Sequence, residues 1–220
     1  MSSLAGVQAT AASVAVLPQV ALQTIAHELR QPLGAIESIA YYLGLVLPPG
    51  EDRAREQVTR IQQLVEQSNW ILTCGLQMAD ETPIAPEPLD LKALIAQAVA
   101  ARGSQGDPQP RMELSGDLPP VRLDPGRGRA LIENLLALVR RVASEAHPVR
   151  LRTAAADTEG GGGVLIEIST TAPGYRSESG LGAGSALGLE YACRIVEAHG
   201  GALAVEVDAV SGIRLRAVLP

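Results

Sequence analysis

The sequence predicts an α+β protein in two parts, a pair of long antiparallel helices followed by an α/β sandwich. Apolar residues in the first third recur at spacings of four and three, the pattern of a bundle helix. Three prolines then interrupt the chain within residues 83–88, and beyond them short apolar runs alternate with helical patterns. A chain of 220 residues has room for one large or two small domains. The predicted divisions are an N-terminal tail (1–17), the helical hairpin (18–82), a linker (83–88) and the sandwich (89–220).

The composition excludes several classes of protein. The net charge of -6 argues against a nucleic-acid groove. Cys74 and Cys193 are isolated in the sequence, which fits a reducing compartment better than a disulfide framework. Residues 1–17 lack a basic start, and Pro18 interrupts their short apolar run, so they resemble neither a signal peptide nor a membrane span. We expect a soluble, cytoplasmic protein with no membrane or nucleic-acid partner. The tail is either frayed or a helical extension.

The first helix is expected over residues 19–47, where Pro48 and Gly50 follow as a turn. With Ala26 at heptad position a, His27 falls at position b, beside the apolar seam and open to solvent. Pro32 is expected to bend the helix near His27. The apolar seam consists of Leu22, Ala26, Leu29, Leu33, Ile36, Ala40, Leu43 and Leu47.

A second helix is expected over residues 51–80, with one apolar stripe of its own. Two helices with one seam each bury little surface, so pairing two hairpins into a dimeric four-helix bundle is one solution. The other solution is a hairpin that docks on the second domain of the same chain.

The sandwich is predicted from caps and short strands. Asp90 and Asp124 are N-cap residues, and Pro125 fits the first helical position. The glycine run that ends at Gly163 is expected to be a loose hairpin loop, because no helix follows it directly. The predicted helices end near residues 101, 146 and 199, the last at the C-cap Gly200. The predicted strands are 111–114, 121–123, 149–155, 164–169, 202–207 and 213–219.

The run HELRQPLGAI, which begins at His27, resembles the H-box of two-component sensor histidine kinases in the variant with Gln-Pro after the histidine. The resemblance implies that His27 is a phosphoacceptor and that the chain dimerises through the hairpin. It gives Glu28 the role of orienting the imidazole, and Gln31 a possible role in positioning water. A chance surface histidine and a solvated glutamate are the plainer alternatives.

Two further residues share the face of His27. Gly34 disfavours a helix, so it either clears room for a partner's active-site loop or allows close helix packing. Tyr41, lower in the same column, would then contact that partner, or it is a lone surface aromatic.

Residues 89–220 resemble the ATP-binding domain of histidine kinases, the GHKL fold shared with gyrase and Hsp90-type ATPases. The similarity is in residues 124–136, which resemble the family's N box, and in residues 187–201, which resemble its last glycine box and the helix after it. Residues 211–220 also resemble the final strand of that family's ATP-binding domain.

Each nucleotide motif departs from the family at a residue that carries chemistry. Asn134 keeps the first position of the N box, but Leu138 stands where a magnesium ligand is expected and offers no oxygen. Thr170 stands where an aspartate would accept the adenine amino group, and a hydroxyl accepts more weakly than a carboxylate. Ala172 replaces a glycine of the first glycine box, and the segment for an ATP lid is short. The remaining glycine positions of this degenerate nucleotide site are Gly174, Gly184 and Gly188.

The intact H-box and the altered nucleotide motifs together favour a histidine phosphotransferase that exchanges phosphate with receiver-domain aspartates. We expect no cofactor and no metal site in this chain, with ATP binding weak or absent and magnesium supplied by the receiver. The expected partners are response-regulator receiver domains, an upstream hybrid histidine kinase that supplies the input, and a second copy of the chain. The alternatives are an ATP-dependent histidine kinase with divergent motifs and a non-catalytic pseudokinase regulator.

Overall fold

The structure, a computed structural model, describes residues 5–103, 109–158, 161–172, 183–208 and 212–220. The chain divides into two compact units, Met1–Glu81 and Thr82–Pro220. No helix within these described ranges is long and apolar enough to cross a membrane.

The first unit consists of two helices, α1 (Ala5–Val46) and α2 (Asp52–Met78). Of the two expectations for the N-terminal tail, the structure contains the helical extension, from Ala5 onward. The helix continues through both Pro18 and Pro32. Each proline removes one backbone donor, and the five alanines of α1 that precede Pro18 favour the helical state there.

Arg55 closes the turn between the two helices. Its guanidinium donates hydrogen bonds to the carbonyl oxygens of Gly44 (3.3 Å), Leu47 and Pro48. The last carbonyls of a helix have no partner within the helix. The arginine therefore satisfies the end of α1 from the first turn of α2.

Helix α2 covers only one side of the apolar surface of α1. Ala26 and Ala40, both at position a, are each 1% exposed. Position e faces α2 as well: Arg30 donates to the hydroxyl of Thr73 (3.1 Å), and a Cβ at Gly44 would lie 3.7 Å from Val58. The d and g columns remain exposed, and both consist of apolar residues: Ile25, Leu29, Pro32, Ile36, Ile39, Leu43 and Val46.

The second unit is a two-layer sandwich of three helices and a five-stranded sheet in the order β2-β4-β5-β7-β6. The β2–β4 pair is parallel and the other pairs are antiparallel. Its helices are α3 (Leu91–Gly103), α4 (Pro125–Arg140) and α5 (Ala183–Ala198). Its strands are β1 (Glu87–Leu89), β2 (Arg111–Leu114), β3 (Val121–Leu123), β4 (Arg150–Thr158), β5 (Gly161–Thr170), β6 (Ala202–Asp208) and β7 (Gly212–Leu219).

One face of the large sheet packs on the helices and forms the core. Leu151, Ile166, Ile168 and Leu215 alternate along β4, β5 and β7 and are no more than 1% exposed. They meet Leu131, Leu135 and Val139 of α4, which are equally buried. Leu, Ile and Val dominate this core, which fits a chain without phenylalanine.

The segment predicted to be a linker is joined to the sandwich. Its end forms β1, which pairs antiparallel with β3. The backbone N–H of Ala85 donates to the Asp124 carboxylate (3.0 Å), and Arg122 donates to the carbonyl of Pro86 (2.8 Å). The proline-rich composition concealed a strand, because Pro88 sits in a short two-stranded sheet where few backbone donors are required.

The predicted caps are confirmed. Asp90 accepts from the backbone N–H groups of Lys92 (2.9 Å) and Ala93 (3.2 Å), and Asp124 accepts from that of Arg127 (3.0 Å). The end predicted for α4, residue 146, is wrong, since the helix stops at Arg140 and irregular turns follow.

The predicted hairpin between β4 and β5 is confirmed, but its loop was predicted too long, because β5 begins at Gly161 and pairs with β4 from there to Ser169. Glu159 and Gly160 lie outside the described residues. A Cβ at Gly163 would lie 2.5 Å from the carbonyl oxygen of Leu219. Here glycine permits the close approach of two strands.

His199, just after α5, connects the end of α5 to the start of α4. Its Nδ1 lies 2.7 Å from the carbonyl of Ile195, and its Nε2 lies 3.0 Å from the backbone nitrogen of Asp124. The imidazole therefore carries its proton on Nδ1 and accepts at Nε2. The chain then turns at Gly200, with φ of +74°, which confirms the predicted C-cap.

Replacing Asp124 with alanine tests its role as the N-cap of α4 and as the acceptor that holds the backbone of Ala85. The N–H groups of Arg127 and then Ala85 hold the pKa of the carboxyl below its usual 3.8. A depressed pKa stabilises the fold above the unfolded value, and this contribution is lost as pH falls through the folded pKa. We expect Asp124→Ala to lower the free energy of unfolding by about 1 kcal/mol at pH 7. Urea denaturation followed by circular dichroism measures it.

The difference in the free energy of unfolding between the two proteins should narrow as the pH falls below 3.8 toward the lowered pKa of the folded protein. The control is Asp117→Ala, since Asp117 is exposed and outside any cap. An equal loss of stability at pH 7 and pH 3 would contradict the role of the carboxylate.

Candidate functional site

His27 lies on the exposed side of α1, as its position beside the seam predicts. Its neighbour at position a, Ala26, is buried against α2, which fixes the rotation of the helix about its axis. The b column that carries His27 therefore points away from the a column and away from the apolar d column. A partner protein can reach the ring without disturbing the hairpin.

Gln31 is the residue that contacts the ring. Its amide nitrogen lies 3.3 Å from Nε2 of His27. An amide N–H can only donate, so Nε2 accepts and the ring proton sits on Nδ1 in this assignment. That tautomer is a neutral imidazole whose Nε2 lone pair is held by a weak, exposed contact.

Glu28 is exposed on the same turn, and no hydrogen bond joins it to His27 in the part of the chain that the structure describes. Arg30 faces α2, where it donates to Thr73, whose own hydroxyl donates to the carbonyl of Asn69 (2.9 Å). The structure thus brings Gln31 to the ring, whereas the guanidinium of Arg30 is directed to α2.

Gly34 and Tyr41 continue the exposed column. A Cβ at Gly34 would meet no atom of the chain within 4 Å, so close packing against α2 is not the reason for this glycine. Tyr41 is 62% exposed. The column of His27, Gly34 and Tyr41 is therefore an accessible strip along α1, which we call the b strip.

In the sandwich, two residues of the nucleotide motifs bind each other. Asn134 of α4 is 4% exposed, and its side-chain nitrogen donates to the carbonyl of Gly188 in α5 at 3.1 Å. Leu138, one turn further along α4, is 3% exposed and packs in the core. The helix face that would carry a metal ligand is thus apolar and filled.

Thr170 and Ala172 lie at the end of β5 and are both buried. The hydroxyl of Thr170 donates to the carbonyl of His147 (2.7 Å), and Nδ1 of His147 lies 3.1 Å from the hydroxyl of Thr171. The side chain at the adenine-anchor position therefore joins two segments of the protein itself.

The sequence alone did not reveal one further contact in this region. Arg141, just after α4, donates to the hydroxyl of Ser185 (2.7 Å), which is 4% exposed near the start of α5. The only signal was an arginine that follows the altered N box. Gly174 lies outside the described residues, and for Gly184 the structure describes only the helical backbone.

These residues do not fit a magnesium nucleotide bound as in the GHKL fold. Leu138 has no oxygen ligand, and Thr170 offers a hydroxyl where a carboxylate is expected. Within the described ranges, no group of three or more His, Cys, Asp or Glu side chains could hold a metal ion. The polar groups that remain are joined across the sandwich.

No protein-family model matches the chain. Over 209 residues it is 27% identical to the sensor histidine kinase ZraS of Escherichia coli O157:H7, and 26% identical to ZraS of strain K12. The alignments cover 89% of this chain and 44% of each relative. The chain thus spans less than half the length of the curated relatives that it matches.

Solved structures give the same result. Full-length ShkA in complex with AMPPNP superposes with a TM-score of 0.57 at 25% identity, covering 90% of this chain and 45% of that one. The histidine kinase AdeS of Acinetobacter baumannii shares the fold, with a TM-score of 0.51 at 21% identity, covering 88% of this chain and 96% of that one. These likenesses confirm the predicted α+β fold with a GHKL-type sandwich. With its H-box at His27 and a sandwich of this type, the chain is similar to two-component sensor histidine kinases in both sequence and fold.

Proposed function

We propose that the chain is a phosphorelay protein of two-component signalling, carrying phosphate on His27 and exchanging it with receiver-domain aspartates. The observation that supports this is the contrast between its two units. The H-box is intact and its histidine is exposed, while Leu138 fills the metal position of the sandwich with a buried apolar side chain.

The chemistry requires little of this chain beyond a neutral imidazole. The Nε2 lone pair of His27 attacks the phosphorus of an aspartyl phosphate, the N–P bond forms and the P–O bond to the aspartate breaks. The aspartate leaves as a carboxylate, and the proton on Nδ1 of His27 passes to water or to a base. Glu28, on the adjacent position, can accept or orient that proton. The receiver supplies the metal that stabilises the transferring group.

Gln31 must release Nε2 before the attack. Its contact is exposed and, at 3.3 Å, long for a hydrogen bond, so it costs little to break. Once the phosphate is transferred, the same amide is placed to hold a water near it. This is how Gln31 would support the reverse reaction or hydrolysis.

An ATP-dependent kinase is the second candidate, and one observation favours it. ShkA, whose structure matches this chain at 25% identity, was solved in complex with the nucleotide analogue AMPPNP. Asn134 is also retained. Against it stand Leu138 and Thr170, since phosphoryl transfer from a nucleotide depends on metal and on electrostatic stabilisation that these side chains do not give.

We infer that the working form is a homodimer. Just five apolar side chains among residues 21–81 are buried in a single chain: Ala26, Ala40, Val58, Val65 and Cys74. The exposed d and g columns of α1 form a continuous apolar surface with Ile39 at 60% and Leu43 at 39% exposure. A second hairpin that covers these columns completes a four-helix bundle and leaves the b strip free.

Phosphate transfer to His27 is the first test. A receiver domain charged with labelled phosphate on its aspartate should label the chain, and the label should be acid-labile as a phosphoramidate. His27→Ala should carry none, whereas His147→Ala, which keeps the H-box, should be labelled as the wild type. Labelled ATP alone should give no label on His27.

Two results would contradict the proposal. Label on His27 from ATP would make the chain a kinase. No label from either donor, with function retained in His27→Ala, would make it a non-catalytic regulator.

The dimer has its own test. Ile36→Glu with Leu43→Glu places two charges in the d column, and burying them at an interface is costly. We expect multi-angle light scattering to show a monomer for this variant and a dimer for the wild type. Ser38→Glu with Leu45→Glu places the same charges in the f column and should remain dimeric. Equal behaviour of the two variants would argue against the d column as the interface.

The role of Gly34 can be separated from helix stability. Gly34→Ala should raise the stability of α1 by about 1 kcal/mol and retain transfer, because alanine favours a helix. Gly34→Leu should slow transfer from the receiver by about tenfold or more, since its side chain would stand in the b strip beside His27. Ala35→Leu, at the c position, is the matched control. Unchanged transfer in Gly34→Leu would contradict the clearance role.

A further inference from the structure

The sheet of the sandwich has an open face that is rich in arginine. Residues that point away from the helices alternate with buried ones along β4, where Arg150 and Arg152 are exposed on either side of the fully buried Leu151. Register places Arg111 of β2 directly opposite Arg150 and Glu113 opposite Arg152. All four are exposed and share one face.

The far half of this face is neutral. Glu167 of β5 lies 3.7 Å from Arg214 and 3.0 Å from Arg216, and Glu206 of β6 lies 3.3 Å and 2.8 Å from the same two arginines. Two cations and two carboxylates thus balance each other. In this half of the sheet, each arginine forms ion pairs with carboxylates of the neighbouring strands.

The near half is not balanced. Across the described ranges, no ion pair or side-chain hydrogen bond reaches the guanidinium groups of Arg111, Arg150 and Arg152. The register places Arg152 between Glu113 of β2 and Glu167 of β5, but Glu167 is paired with Arg214 and Arg216, and Arg111 and Arg150 have no acidic residue opposite them. Neighbouring strands lie about 4.8 Å apart, so Arg111 and Arg150 form a like-charge pair. Such pairs directly opposite each other destabilise a sheet. We call these three residues the arginine triad.

We propose that the arginine triad docks a carboxylate-rich segment of a partner protein. The supporting argument is charge complementarity, because the triad is a local positive surface on a chain whose net charge is -6. A bound acidic segment would relieve the repulsion between Arg111 and Arg150, and it would find three planar guanidinium groups suited to carboxylates. The site lies in the second unit and does not depend on phosphate transfer to His27.

Nucleic acid fits this surface less well. The triad spans only two strands of the sheet, which is too short a track for an extended phosphate backbone. The seven strands contain no Phe, Tyr or Trp on which a base could stack.

A fluorescent peptide of eight glutamates is the probe, and its anisotropy is measured with the full chain at low salt. We expect the triple variant Arg111→Gln, Arg150→Gln, Arg152→Gln to bind about tenfold more weakly than the wild type. Arg53→Gln, Arg60→Gln, Arg194→Gln is the control, because it removes three exposed arginines elsewhere and gives the same net charge. It should change binding by less than about twofold.

Thermal melting gives an independent readout. Relief of the like-charge pair predicts that Arg150→Gln melts no lower than the wild type, so weaker binding by the triple variant cannot be explained by unfolding. Equal losses in the two triple variants, or no loss in either, would overturn the proposal. So would tighter triad-dependent binding of an eight-nucleotide thymidine strand, or a triad-dependent change in the oligomeric state of the free chain.

Discussion

The apolar surface of α1 is wider than one neighbouring helix can cover. Its a and e columns pack on α2, where Ala26 and Ala40 are almost fully buried. Its d and g columns consist of apolar residues and remain exposed. Because of this mismatch, two columns need a second surface to cover them, while the b strip on the other side of the helix stays free. The exposed position of His27 follows from the same rotation of the helix that buries Ala26.

The sandwich pairs its own polar groups at the altered nucleotide motifs. Asn134 binds Gly188, Thr170 binds His147 and Arg141 binds Ser185, so the polar side chains near the altered motifs have partners within the protein. Buried polar groups require such partners, and a site that waits for a ligand would leave some of them exposed or bridged by water. These hydrogen bonds therefore stabilise the fold at the altered motifs. Under the proposed function, the sandwich is a scaffold that requires no nucleotide.

Sequence periodicity was sufficient for the hairpin and for most of the sandwich. The seam around Ala26 predicted the exposure of His27, and Asp90 and Asp124 predicted two helix starts, because these signals are local. Sequence periodicity gave wrong predictions where contacts between residues far apart in the sequence determine the secondary structure. Pro88 concealed a strand that exists only because β3 pairs with it, and the glycine run was read as a loop although the approach of Leu219 requires glycine at Gly163.

The site was predictable to the same extent. The H-box motif located His27, and comparison with the family's motifs identified Leu138 and Thr170 as altered positions. The partners of the altered positions could not be predicted, because His147 and Ser185 are brought there by the fold and carry no motif of their own. The contact between Gln31 and the ring needed the rotamers of both side chains, which the heptad pattern does not specify.

The proposed function depends on a sandwich that does not supply the phosphate donor. Titration calorimetry of the full chain with AMPPNP and magnesium tests it most directly. The account predicts no saturable binding up to millimolar analogue, because Leu138 and Thr170 remove the metal ligand and the adenine anchor. Saturable, magnesium-dependent binding in the micromolar range would contradict it.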